Sequence, residues 1–166
     1  MRSGQPWRNY ANVYTNAGRW KPNWIRLAWC VKNASSVIVL DASATVDWLL
    51  QTPPGLRIER RIYSRSESLH APHLLDLEVA QVLRRLVREN ALSAHRAGQA
   101  IQDLLDLRLT RYPHFVLVPR IWQLRRNLTA YDAAYVALAE ELDAALISRD
   151  SRLTSASGHS ASVELF

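Results

Sequence analysis

Asp41, Glu78, Asp132 and Asp150 are the residues of this 166-residue chain whose types and placement could do chemistry together. Converging carboxylates are the donor set of a hard divalent cation. A cation so held can cut a phosphodiester backbone by polarising phosphate and activating water. Each acid also has a plainer use. Asp41 could cap a helix beginning near Ser43, and Asp150 a turn at Ser151. Asp132 closes the run Thr129-Ala130-Tyr131-Asp132, a capping-box spacing in which the acid reaches back to the cap amide. Glu78 is the most telling. It lies three residues after Leu75 and four before Val82, so it shares their face of a helix. A carboxylate on an apolar stripe costs on the order of several kcal/mol unless it is paired or binds a metal. A salt bridge to an arginine is the alternative, although Arg84, Arg85 and Arg88 can reach solvent on the other side.

Taken together, four carboxylates at one point would repel one another, and cations would be needed to hold them there. Oxygen-only ligands select Mg²⁺ or Mn²⁺ rather than zinc. None of the five histidines falls at a zinc-ligand spacing with another ligand, and His70 and His73 are separated by Pro72.

The elements that must position these acids alternate between strands and helices. Val37 to Leu40 is a β-branched run that reads as a buried strand. Ser43 to Leu50 reads as a helix ended by Pro53-Pro54-Gly55, and Leu56 to Ser64 as a second short one. Leu69 to Ala71 is a short strand. Leu75 to Asn90 is amphipathic, with Leu75, Val79, Val82, Leu83 and Leu86 on one face. Ser93 caps a helix to about Leu107, with Ala97, Ile101, Leu104 and Leu105 inward. Phe115 to Val118 could be strand or connector, and Ile121 to Arg126 is a short helix. Thr129 to Leu142 is an alanine-rich helix, small enough on its surface to lie close against a sheet. Ala145 to Ser148 is a strand, Ser151 to Ser155 a helical turn, and Ser162 to Leu165 a last strand. This alternation implies a three-layer α/β/α fold on a mostly parallel sheet. In such folds the site lies beyond the carboxyl ends of the strands, where Asp41 and Asp150 fall.

Residues 1–36 look foreign to the rest. They hold four of the six tryptophans and both lysines, with no period of 2 or 3.6. Six of the 21 basic residues lie there with no acid, so the remaining fifteen face all fifteen acids. The net charge of +6 therefore belongs to the leader and does not by itself mark residues 37–166 as a polyanion binder. The segment reads either as a basic aromatic arm that stacks on nucleic acid or as a disordered leader upstream of the true start. In the second reading Val37 could itself be the initiator. A single cysteine, Cys30, permits no internal disulfide. No stretch approaches the roughly 18 to 20 apolar residues of a membrane span, and Arg26 breaks the best secretory candidate, so a cytoplasmic protein is expected.

Absences narrow the chemistry. No lysine follows Lys32, which removes the P-loop and disfavours phosphoaspartyl enzymes and receiver domains, both of which use a later lysine. There is no G-x-S-x-G elbow, and Cys30 has no context for nucleophilic catalysis.

From Val37 to Phe166 the chain resembles a PIN domain, specifically the VapC-type toxins of bacterial toxin–antitoxin pairs. The resemblance covers about 130 residues. It is carried by Val-Ile-Val-Leu-Asp41-Ala-Ser43-Ala, by Leu75-Asp-Leu-Glu78-Val-Ala, by Leu128-Thr-Ala-Tyr-Asp132-Ala-Ala-Tyr-Val-Ala-Leu-Ala-Glu140 and by Ser148-Arg-Asp150-Ser-Arg-Leu153. It implies that Asp41, Glu78, Asp132 and Asp150 form a Mg²⁺ site, with Asp41 and Asp132 the most direct ligands and Ser43 a polar neighbour. Many members have Thr where Ser148 stands, and members typically begin at the first strand. It further implies a ribonuclease that cleaves tRNA, rRNA or mRNA and arrests translation, a homodimer, and a small VapB-type antitoxin. Arg125, Arg126 and Arg149 could hold RNA backbone or be solvated surface. The alternatives are a non-catalytic PIN-like binding or scaffold module, against which the four intact acids argue, and a structure-specific DNA nuclease, which would carry insertions this short chain lacks.

Overall fold

The computed structural model describes residues 37–65 and 67–166. The expectations for the leader, residues 1–36, lie outside the described residues.

A five-stranded, wholly parallel sheet runs in the order β3-β2-β1-β4-β5. Strand β1 (Val37–Leu40) leads into α1 (Ala42–Leu49), α2 (Pro53–Tyr63) and β2 (Ser68–Pro72). Helices α3 (Leu74–Arg88) and α4 (Ala94–Asp106) lead to β3 (Leu109–Tyr112). A 3₁₀ turn (His114–Leu117), α5 (Val118–Leu124) and α6 (Ala130–Leu142) carry the chain to β4 (Ala145–Ser148), followed by α7 (Ser151–Ser155) and β5 (Ser162–Leu165). The order of connections reverses after β3. With right-handed crossovers, α1 to α4 therefore cover one face of the sheet and α5 and α6 the other. The sheet centre is made of β-branched and leucine side chains: Ile38, Val39, Leu40, Leu146 and Ile147 are wholly buried.

Local chemistry accounts for the helices that flank the site. In α6 every residue from Ala133 to Ala139 is buried. Its small side chains let the backbone approach the sheet closely, as the alanine content predicts. Thr129 caps it by accepting from the Asp132 amide at 3.2 Å, and Asp143 ends it in a left-handed conformation, φ 54°. In α3 the buried positions Leu75, Val79 and Leu83 recur at spacing four. No helix among the described residues is long and apolar enough to cross a membrane.

Four local expectations are corrected. Pro53-Pro54-Gly55 begins α2 instead of only ending α1: Thr52 accepts from the Gly55 amide at 3.1 Å, and proline fits a first helical turn that needs no amide donor. Strand β3 falls at Leu109–Tyr112, a segment too polar (Leu-Thr-Arg-Tyr) to signal itself. Phe115 to Val118 is not a strand but the end of a 3₁₀ turn and the start of α5. Leu105 points outward, and Ala100 takes the inward place beside Leu104.

Candidate functional site

Asp41 is the first residue past β1, and its amide donates to the Ile147 carbonyl of β4 at 3.0 Å. It stands at the cap position of α1, yet its side chain makes no capping hydrogen bond. Instead its Oδ2 accepts from the Ser43 hydroxyl at 2.7 Å and the Ser148 hydroxyl at 2.6 Å. Ser148 is fully buried, and its oxygen accepts from the Asp150 amide at 2.9 Å. Ser43 Oγ accepts from the Arg149 amide at 3.0 Å. Two hydroxyls thus lace the end of β1 to the end of β4, at the point where the strand order reverses. Among the described residues nothing donates to Oδ1 of Asp41, so that oxygen is available to a ligand.

Glu78 sits one turn into α3, partly buried, with no ion pair among the described residues. The arginine bridge considered as its plainer role is absent there. Its Oε2 accepts from the hydroxyl of Tyr135, on α6, at 2.5 Å. Burial raises its pKa, the Tyr135 hydrogen bond offsets part of that, and the charges of Asp41 and Asp132 raise it further. Burial and the Glu78 carboxylate push the Tyr135 hydroxyl far up, so it is a fixed donor. Glu78 is therefore within electrostatic reach of two of the other three acids, contributed by different elements.

Asp132 occupies the first turn of α6, and its Oδ2 accepts from the Thr129 hydroxyl at 2.7 Å. The cap is reciprocal through that hydroxyl and not through the Thr129 amide. Asp150 does cap α7, accepting from the Arg152 amide at 2.9 Å. Both its oxygens also face the Arg152 guanidinium, which holds its pKa below the usual carboxylate range. Arg152 also feels the charge of Asp132. The structure thus couples Asp41, Glu78 and Asp132, while Asp150 turns toward an exposed arginine at the same sheet end.

Among the described residues no three His, Cys, Asp or Glu side chains close a metal cage by themselves. The donor chemistry nevertheless fits a hard cation of the magnesium type. Such an ion keeps several waters and takes only one or two carboxylates directly, so it needs an open rim of oxygens more than a cage. Asp41, Glu78 and Asp132 offer that rim; Glu78 is raised mainly by burial and further by the charges of Asp41 and Asp132, and a cation would relieve that second part.

Two supporting groups carried no sequence signal of their own. Tyr135 reads as one more core residue of a buried helix. Its position three after Asp132, on the same helix face, is the cue that could have exposed it. Arg152 reads as surface.

The PIN domain family model matches residues 38–158. VapC ribonuclease Mb0985 of Mycobacterium bovis is 46% identical over 118 residues, covering 71% of this chain and 89% of that protein. Ribonuclease VapC12 of Mycobacterium tuberculosis is 42% identical over 129 residues, covering 78% and 98%. Among solved structures, the fold is similar to PAE2754 from Pyrobaculum aerophilum (TM-score 0.58, 20% identity, covering 77% of this chain and 83% of that one). It is also similar to a chain of VapBC2 from Rickettsia felis, determined bound to a DNA fragment from their promoter (TM-score 0.55, 11% identity, covering 78% and 98%).

Proposed function

The chain belongs to the PIN domain family, and on that footing we propose that it is a VapC-type ribonuclease toxin: a Mg²⁺-dependent endoribonuclease that cleaves cellular RNA, inhibits translation and is restrained by a VapB-type antitoxin. Relatives named as VapC ribonucleases match over most of their length. The observation that carries the reading is the clasp on Asp41: two hydroxyls fix Oδ2 and leave Oδ1 without a donor among the described residues, on a carboxylate whose charge Glu78 feels. Such pre-orientation serves no capping purpose, because the helix end takes no bond from it.

Asp41 and Asp132 would hold the cation most directly, with Glu78 and Asp150 completing the site or orienting water. When bound there, Mg²⁺ supplies Lewis-acid activation of water and neutralises charge developing on the phosphate. The protein's part is positioning. Ser43 and Ser148 fix the Asp41 carboxylate, and Tyr135 orients Glu78 by holding Oε2. Arg152, exposed and bound to Asp150, can exchange that partner for a substrate phosphate. The expected form is a homodimer working in the cytoplasm.

The test is cleavage of structured and unstructured RNA with Mg²⁺ by the wild type, Asp41→Asn and Asp132→Asn. The wild type should cut, and each variant should lose about 100-fold or more in rate. Cleavage by either variant at the wild-type rate would reject the assignment.

A further inference from the structure

Residue type alone leaves Arg149 as either an RNA-backbone contact or solvated surface. Its contacts fit neither. Nε lies 2.9 Å from Asp47 Oδ2 on α1, and Nη1 donates to the Phe166 carbonyl at 2.8 Å. Two of its three guanidinium nitrogens are therefore committed to protein oxygens. Both acceptors are themselves held. Thr52 donates to Asp47 Oδ1 at 2.6 Å. The Phe166 amide donates to the Ser148 carbonyl at 3.2 Å, and its side chain packs against the core.

The backbone of the same residue reaches the clasp on Asp41. The Arg149 amide donates to Ser43 Oγ at 3.0 Å. A hydroxyl has one hydrogen, so with this amide on its lone pair Ser43 turns that hydrogen to Asp41 Oδ2, at 2.7 Å. Residues 148–150 thus present three groups in a row: the Ser148 hydroxyl to Asp41, the Arg149 amide to Ser43 and the Asp150 amide to Ser148. Arg61, Arg111 and Arg120 also join elements by ion pairs, but none of them lends a backbone group to the hydrogen bonds around Asp41.

We propose that Arg149 is a positioning residue of the candidate cation site: its side chain pins the Ser148–Asp150 turn to α1 at Asp47, and its amide sets the direction of the Ser43 hydroxyl on Asp41. This rests on the ribonuclease reading and adds to it a residue that acts through Asp41 without touching substrate. The Arg149 side chain is 36% exposed, so its ion pair adds little to stability and its effect falls on geometry. Geometry matters at this point because a misplacement of about 1 Å can cost about 100-fold in rate.

The test compares the full chain with Arg149→Ala, with Asp47→Asn and with the two combined. Asp47→Asn keeps the Oδ1 acceptor for Thr52 and removes the charge that Arg149 meets. Mg²⁺ is titrated calorimetrically into each protein without RNA, and RNA cleavage gives kcat and KM. Each single change should weaken Mg²⁺ binding by about tenfold and lower kcat by about tenfold. KM for RNA should stay within about twofold of the wild type, and the melting temperature should fall by less than about 4 °C. The combined variant should do no worse than the poorer single one, because the two residues act as a unit. Wild-type Mg²⁺ affinity in both single variants overturns the proposal. Additive losses in the combined variant overturn it too. A raised KM for RNA with unchanged Mg²⁺ binding in Arg149→Ala does the same, because the arginine then grips substrate. So does a larger fall in melting temperature, which makes Arg149 a structural tie only. A wild type that binds Mg²⁺ but cleaves no RNA rejects the ribonuclease reading and leaves Arg149 judged on the titration.

Discussion

The hydroxyl of Tyr135 donates to the Glu78 carboxylate at 2.5 Å. The bond joins α3, on one side of the sheet, to α6, on the other, at the edge where the acids gather. It is the one hydrogen bond the Glu78 carboxylate receives among the described residues, and it offsets part of the rise in pKa that burial causes. Tyr135→Phe keeps the ring and removes the donor. Loss of a group that orients a ligand costs about 10- to 100-fold in metal affinity. The half-saturating Mg²⁺ concentration for RNA cleavage should therefore rise by about tenfold or more, with little change in secondary structure by circular dichroism. A Mg²⁺ dependence identical to wild type would show that Tyr135 only fills space.

Ser148 performs two tasks with one oxygen, donating to Asp41 and accepting from the Asp150 amide. Ser148→Ala removes the acceptor of the half-buried Asp150 amide and leaves Ser43 as the one hydroxyl on Asp41. The stability loss should be about 1–3 kcal/mol by urea denaturation, with a larger proportional loss of cleavage. Ser148→Thr keeps the hydroxyl and should retain most of both. Equal activity in the alanine and threonine variants would remove the hydroxyl from the account.

Metal removal separates the acids' two roles. In EDTA, Glu78 is repelled by both Asp41 and Asp132, so Asp132→Asn should leave the melting temperature unchanged or slightly raised. Adding Mg²⁺ should stabilise the wild type by the linkage amount, about 2.7 kcal/mol at a hundred times the dissociation constant. The variant should gain much less. A wild type insensitive to millimolar Mg²⁺ in differential scanning calorimetry would argue against a cation at this place.

The sequence made the acids legible because a parallel α/β architecture sends residues after its strands to one edge, and Asp41 and Asp150 follow their strands within two positions. Glu78 was legible from helical period alone, and among the described residues no arginine pairs with it. The clasp was not legible. The Asp41–Ser148 bond spans 107 residues, and neither residue type announces it. Strand β3 was hidden because it lies at an edge of the sheet, where Thr110 is exposed and no apolar run is required. The misread start of α2 has a similar cause: proline and glycine mark boundaries without saying on which side the helix lies.

Gly55 tests that corrected boundary. A Cβ placed there would lie 1.9 Å from the Asp47 carbonyl oxygen, a backbone atom at the end of α1 that cannot step aside. Thr52 ties the same corner by donating to Asp47 Oδ1 at 2.6 Å. Gly55→Ala is expected to destabilise by about 3 kcal/mol or more, although alanine favours helices. If it instead stabilised the fold by about 1 kcal/mol, as at an open helical site, α2 would not cross α1 here.

His70 sets the pH dependence of stability. It is 1% exposed in β2, with Nδ1 2.9 Å from the Tyr112 hydroxyl and Nε2 2.8 Å from Ser68 Oγ. Burial pushes its pKa down to about 4, from 6.5. The unfolded chain therefore binds a proton between those values that the folded chain refuses, and stability falls as pH is lowered through that window. The contribution is complete above pH 6.5 and gone below about pH 4, a loss of about 3.4 kcal/mol by linkage. Glu140, lowered mainly by its Arg120 hydrogen bond, adds an acid-side loss only below the ordinary carboxylate value of 4.5. Over pH 7.5 to 4.8 Glu78, raised mainly by burial, contributes with the opposite sign, so the difference in urea midpoint between the wild type and His70→Gln isolates the histidine. His70→Gln, which keeps a polar group but cannot titrate, should flatten that slope. A slope unchanged in the variant would place the acid sensitivity elsewhere.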